Sequence, residues 1–237
     1  MQAVDTPQPP LADKARIVYE LLSAEYGAPD WRPFYEPMDE LILTILSANT
    51  SDVNSGRAFE QLKAAYPTWE AVMDAPLDEL TQVIRPGGLA PTKAPRLQAA
   101  LRRILAERGE FDLSFLAGLS PEEGIQWLTQ FDGVGHKTAS IVLLFCFNKP
   151  AFPVDTHVQR MSQRLGFAGP KDDPAKIKAI WESLAPAGWF YALHLNLIRH
   201  GRQVCHARNP RCETCVLQAQ CDWFQAQTQS FGKQADV

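Results

Sequence analysis

The stretch SPEEGIQWLTQFDGVGHKTASIVLLFCF, residues 120–147, decides the fold. Ser120 offers a capping hydroxyl, Pro121 suits the first helical position and Glu123 lies three residues on, so a helix is predicted to start here. It buries Ile125 and Leu128 and ends near Gln130. A second helix starts at His136 and runs through Ile141, Val142, Leu143 and Leu144, and Phe131-Asp132-Gly133-Val134-Gly135 makes a five-residue turn between the two. Glycines on both sides of one apolar residue allow left-handed backbone angles, and the free amides opening the second helix can face an anion such as a phosphate. An ordinary tight turn between antiparallel helices has the same spacing. Lys137, a charge in the first turn of an otherwise apolar helix, sets this one apart.

Outward from the hairpin, apolar residues recur at steps of three and four. Leu41, Ile42, Ile45 and Leu46 do so, then Leu97, Leu101 and Leu105, then Ile177, Ile180, Trp181 and Leu184; no comparable strand alternation occurs. Pro and Gly interrupt these runs at residues 86–88, 133–135 and 150–153 and at Pro170 and Pro186, which predicts about ten short helices and an all-α fold. With 237 residues and 46% hydrophobic content, the chain can build one large domain or two modest ones. Its N-terminus has no apolar run behind a basic start. The longest apolar segment, residues 141–147, is too short to span a bilayer, so a soluble, cytoplasmic protein is expected.

A net charge of −4 argues weakly against a nucleic-acid partner, but the distribution argues the other way. RHGRQVCHARNPR, residues 199–211, holds Arg199, Arg202, Arg208 and Arg211 and no acid, a local basic patch running into a cysteine cluster. That cluster reads Cys205-x6-Cys212-x2-Cys215-x5-Cys221, whereas Cys146 lies alone in an apolar helix and reads as a core residue. Tight clustering in a cytosolic-type chain favours a metal centre over disulfides. Zinc ribbons generally use two close cysteine pairs, and only one C-x2-C is present. Asp155, after Pro153-Val154 and before a helical run, reads as a helix N-cap.

FDGVGHKTA (131–139), followed by PVDTHVQR (153–160) with Asp155 18 residues after Lys137, resembles the endonuclease III family of helix-hairpin-helix DNA glycosylases. LSANTSDVNS (46–55), GGLAPTKA (87–94), HLNLIRHGRQVC (194–205) and the cysteine array follow the family's order, and the likeness covers about residues 14–222. It implies two helical domains with duplex DNA in the cleft between them. One spans residues 30–149 and contains the helix-hairpin-helix at about 120–147; the other joins 11–29 to 150–222 and carries a [4Fe-4S] cluster on Cys205, Cys212, Cys215 and Cys221. Residues 1–10 and 223–237 carry too little apolar surface to offset their ordering entropy and are expected to be flexible.

The resemblance further implies a base-excision repair enzyme, a glycosylase with abasic-site lyase activity acting as a monomer on oxidised pyrimidines or abasic sites. Lys137 would attack C1′ of the damaged nucleotide, which needs a neutral amine. An ordinary lysine is almost wholly charged at pH 7, so its site must weaken its hold on the proton, and a helix N-terminus helps. Asp155 would take up that proton or stabilise charge developing on the sugar. The nucleotide must leave the stack, and the likeness puts Asn49 and Leu89 at the positions that fill the gap. From the residues alone, Leu89 reads as a loop residue tucked into the core and Asn49 as a helix C-terminal residue. Ser47 and Asp52 would line the pocket, and Gly133, Val134, Gly135, His136, His157 and Arg202 would contact DNA.

The chain departs from the family pattern at Asn49 (usually Gln), Ala90 (commonly aromatic), Asp132 (usually Pro) and His136 (frequently Arg). A carboxylate at Asp132 is expected to repel a phosphate unless it points away or caps the next helix. Two other readings stand beside this one. A monofunctional mismatch glycosylase of the same superfamily usually lacks the hairpin lysine, and a non-catalytic iron–sulfur DNA-binding or redox module would not need both Lys137 and Asp155.

Overall fold

The computed structural model describes residues 10–232, with side chains through Gln227. The flexibility expected for residues 1–9 and 233–237 lies outside the described residues. No strand occurs among the described residues. In chain order the α-helices are α1 (Leu11–Tyr26), α2 (Pro37–Ser47), α3 (Asp52–Ala65), α4 (Trp69–Asp74), α5 (Leu77–Val83), α6 (Ala90–Arg108), α7 (Pro121–Leu128), α8 (His136–Phe147), α9 (Thr156–Arg164), α10 (Pro174–Leu184), α11 (Phe190–Gln203) and α12 (Asp222–Gly232). The tail after Trp223 is therefore helical as far as Gly232.

These helices form two compact units, one of Arg32–Lys149 and the other of Met1–Trp31 with Pro150–Val237. In the first, α2 packs on α3 and α8, α7 on α8, and α4 and α5 on α6. Leu41, Ile42, Leu46, Leu97 and Leu101 are fully buried, so the apolar steps read from the sequence face this core. The capping box at α7 forms as expected: Glu123 N donates to Ser120 Oγ at 3.2 Å and Ser120 N to Glu123 Oε2 at 2.8 Å. The helix closes at Leu128, two residues early, where the Thr129 hydroxyl bonds back to the Ile125 carbonyl at 2.8 Å.

In the second unit α11 packs against α1 and α9. Trp181 is fully buried between Phe152 and Phe167, with ring centroids 5.8 and 4.5 Å away. Its indole N–H donates to Ser162 Oγ at 2.8 Å, so the largest buried side chain of α10 leaves no orphaned donor. Ile177 shares that core, whereas Ile180 and Leu184 are only half-buried at the edge of the same helix.

Candidate active site

The hairpin takes its shape from one left-handed residue, Gly133, at φ +86°. Val134 N then donates to the Phe131 carbonyl at 3.0 Å while the Val134 side chain is buried. Val134, expected to contact DNA, thus has its amide committed to closing the turn and its side chain to the core. Gly133, Gly135 and His136 are exposed, and their amides have no backbone acceptor among the described residues. With no side chain capping α8, these donors stand open at a helix N-terminus. Lys137 follows in the first turn of α8, half-buried.

A second charged group lies close to Lys137, and the sequence reading did not single it out. Glu40 sits on α2, which packs on α8, and it is buried. Burial holds its carboxyl above the usual carboxylate range, while the Thr44 hydroxyl at 3.2 Å and the Lys137 charge pull in the opposite direction. Its one sequence signal is an acid inside the apolar run that includes Leu41, Ile42 and Ile45.

Asn49 and Leu89 both adopt left-handed backbone, at φ +56° and +51°, and both are exposed. Leu89 is 56% exposed, so it does not tuck into the core as its residue type suggested. Its carbonyl accepts from Thr92 N and Lys93 N at 3.0 and 2.9 Å, which makes it the start of α6. An L-residue held there costs on the order of 1–2 kcal/mol, so the surrounding structure must impose the geometry. Lys93 does so. Its buried amine donates to the Leu46 carbonyl at 2.6 Å and to the Gly87 carbonyl at 2.7 Å, joining the end of α2 to the turn that precedes Leu89. Desolvation lowers the pKa of that amine. Ser47, half-buried, donates its hydroxyl to the Thr44 carbonyl at 2.8 Å; Asp52 is exposed in the first turn of α3.

In the other unit Asp155 caps α9, as its setting predicted. One oxygen, Oδ1, accepts from His157 N and Val158 N at 2.9 and 2.8 Å, and among the described residues no hydrogen bond reaches Oδ2. His157 Nδ1 accepts from Arg160 Nη2 at 2.9 Å, so the ring proton sits on Nε2. Burial lowers the His157 pKa against the opposing pull of Asp155, which favours that neutral form. Arg160 also reaches the Gly201 and Cys205 carbonyls at 2.8 and 2.9 Å. A Cβ at Gly201 would stand 2.9 Å from that of His157, so only glycine lets α9 and α11 meet here. Arg199, Arg202, Arg208 and Arg211 are all exposed, and Arg202 lines a surface groove with Tyr26, Asn196 and Arg199.

The four clustered cysteines line one cavity with Arg164, Trp223 and Phe224. Arg164 Nη1 donates to Cys205 Sγ at 3.1 Å and His200 Nε2 lies 3.3 Å from Cys215 Sγ. Tyr26 O–H lies 2.9 Å from His200 Nδ1, and burial depresses the imidazole to about 4. A neutral ring that accepts from Tyr26 at Nδ1 donates from Nε2 to the sulfur. Burial, reinforced by the neighbouring cysteines, raises the Cys212, Cys215 and Cys221 thiols, Cys215 to about 11. A bound cation is what converts such thiols to thiolate ligands. No three potential ligands among the described residues are grouped closely enough for a single ion. Cys146, half-buried with its thiol raised by burial and by Glu40 and Glu36, stands apart.

Residues 42–187 match the family described as HhH-GPD superfamily base excision DNA repair protein. Residues 205–221 match the iron–sulfur binding domain of endonuclease III. Endonuclease III of Thermotoga maritima is 33% identical over 189 residues, covering 80% of this chain and 84% of that protein. The chain belongs to the endonuclease III family. A putative DNA glycosylase of Arabidopsis thaliana is 40% identical over 165 residues, and the chain spans 56% of its length. A solved trapped endonuclease III–DNA covalent intermediate superposes with a TM-score of 0.79 at 28% identity, covering 92% of this chain and 98% of that one. Like other endonuclease III-type chains it carries a [4Fe-4S] cluster. Among the described residues no helix is long and apolar enough to cross a membrane.

Proposed function

We propose that the protein is a base-excision repair DNA glycosylase with abasic-site lyase activity, in which Lys137 is the nucleophile. The observation that carries this is Lys137 in the first turn of α8, directly after the hairpin, in a family with a DNA-bound covalent intermediate. The Lys137 amine forms a bond to C1′ as the bond from C1′ to the base breaks, and the base departs with a proton. The sugar ring then opens to a Schiff base. Loss of a C2′ proton and departure of the 3′ phosphate cut the strand. Asp155, anchored through Oδ1, uses Oδ2 to take the ammonium proton or to offset charge on the sugar.

Asn49 and Leu89 fill the stack around the extruded nucleotide, Ser47 and Asp52 border its pocket, and oxidised or ring-saturated pyrimidines are the bases removed. The open amides of Gly133, Gly135 and His136 hold a phosphate, and His157 and Arg202 hold others. Cys205, Cys212, Cys215 and Cys221 ligate the cluster, which fixes the loop between α11 and α12 and so presents Arg208 and Arg211. The protein works as a monomer on chromosomal DNA in the cytoplasm. A panel of duplexes with single lesions, incubated with and without borohydride, tests the proposal. Base release with covalent trapping on oxidised pyrimidines supports it, and base release without trapping would favour a monofunctional enzyme.

A further inference from the structure

The acid in the hairpin does not cap α8. Asp132 Oδ2 accepts from Arg96 Nε at 3.0 Å, an ion pair between side chains 73% and 39% exposed. At that exposure the pair contributes little to stability, so its consequence is geometric. Arg96 crosses the backbone at Gly133: a Cβ built there would lie 3.1 Å from Arg96 Cδ and 3.7 Å from Nη1. Glycine is favoured here by its φ of +86°, and a Cβ would also crowd this side chain. Asp132 engages Nε, and among the described residues neither Nη group makes a hydrogen bond. Nη1 lies alongside Gly133, 3.7 Å from where its Cβ would stand. α6 is braced to the hairpin a second time, through Arg103 Nη1 donating to the Gln130 carbonyl at 3.0 Å. Leu89 and Arg96, seven residues apart, stand two turns apart on nearly the same side of α6, a rise of roughly 10 Å.

We propose that Arg96, held across Gly133 by Asp132, is an additional ligand for a DNA backbone phosphate beside the helix-hairpin-helix. The inference rests on the DNA-binding reading above. Asp132 holds the guanidinium at its Nε edge so that the Nη edge faces the phosphate, and the arginine cancels the acid's repulsion. Two roles, masking Asp132 and ligating phosphate, separate in a double-mutant comparison.

Binding of wild type, R96Q, D132N and R96Q/D132N to a duplex with a tetrahydrofuran abasic analogue is measured against salt by fluorescence anisotropy. R96Q should weaken binding about threefold to tenfold at about 0.1 M salt and lower the salt slope by roughly 0.9, the value for one phosphate contact. R96Q/D132N should recover only part of the loss and stay weaker than D132N. If it binds as tightly as D132N with the same slope, Arg96 only masks the acid and the inference is overturned. If wild type itself shows no salt-dependent duplex binding, the DNA reading fails and takes the inference with it. A duplex with one neutral methylphosphonate, moved along the strand, gives a second test: at one position R96Q should lose its effect, and an equal effect at every position would contradict a direct contact.

Discussion

Lys93 Nζ donates at 2.6 Å to the Leu46 carbonyl and thereby fixes the end of α2, from which Asn49 projects, against the turn that carries Leu89. Replacing Lys93 by Met keeps much of its volume but leaves two buried carbonyls without donors. Stability should fall by about 2–4 kcal/mol, read by urea unfolding. With Asn49 and Leu89 filling the stack as proposed, affinity for an abasic-analogue duplex should fall further than affinity for undamaged duplex. Equal losses on both duplexes would remove the loops from lesion recognition.

Asp155 caps α9 and is proposed to act also as a charge, and two substitutions separate these roles. Asparagine caps nearly as well as aspartate, so Asp155→Asn should unfold within about 0.5 kcal/mol of wild type, while Asp155→Ala should lose about 1–2 kcal/mol. Both should lose base-release rate by about a hundredfold or more. An Asp155→Asn variant with wild-type rates would leave Asp155 as a cap alone.

Glu40 gives the protein a pH dependence of definite sign. Its carboxyl is raised by burial, so the fold binds that proton more tightly than the unfolded chain does. Stability from this site is present at low pH and is lost as pH rises from the ordinary carboxylate range through the raised value. Glu40→Gln should therefore gain stability relative to wild type at about pH 8 and lose that advantage by about pH 4. An ionised Glu40 also favours the ammonium form of Lys137. The acid limb of the Lys137 trapping rate should move to lower pH in Glu40→Gln, and an unmoved limb would show that the two groups do not communicate.

Local chemistry was legible before any coordinates. The Ser120–Glu123 capping box and the Asp155 cap each depend on residues close in sequence, and each reads correctly from its own neighbourhood; the cysteine array, equally local, lines one cavity. Leu89 did not, because an apolar loop residue normally buries itself, whereas here it starts α6 in left-handed backbone beside a turn that Lys93 braces from the next turn of the helix. Glu40 near Lys137 and Arg96 on Asp132 join positions 97 and 36 residues apart. No pattern in one chain indicates such pairings. Val134 shows the converse, a motif residue whose amide and side chain are both used by the fold.

The cysteine cavity predicts its own colour. Protein purified in air should be yellow-brown with broad visible absorbance and iron in proportion to one [4Fe-4S] centre. Removing that iron should destabilise α11 and α12, seen as a lower unfolding temperature. A colourless protein holding stoichiometric zinc would contradict the assignment of the four cysteines.

The most direct test of the account is borohydride trapping of Lys137→Gln on duplex DNA bearing an oxidised pyrimidine or an abasic site. Wild type should form a covalent protein–DNA adduct, and the variant, still folded and still binding the duplex, should form none. A Lys137→Gln protein trapped as efficiently as wild type would place the nucleophile elsewhere.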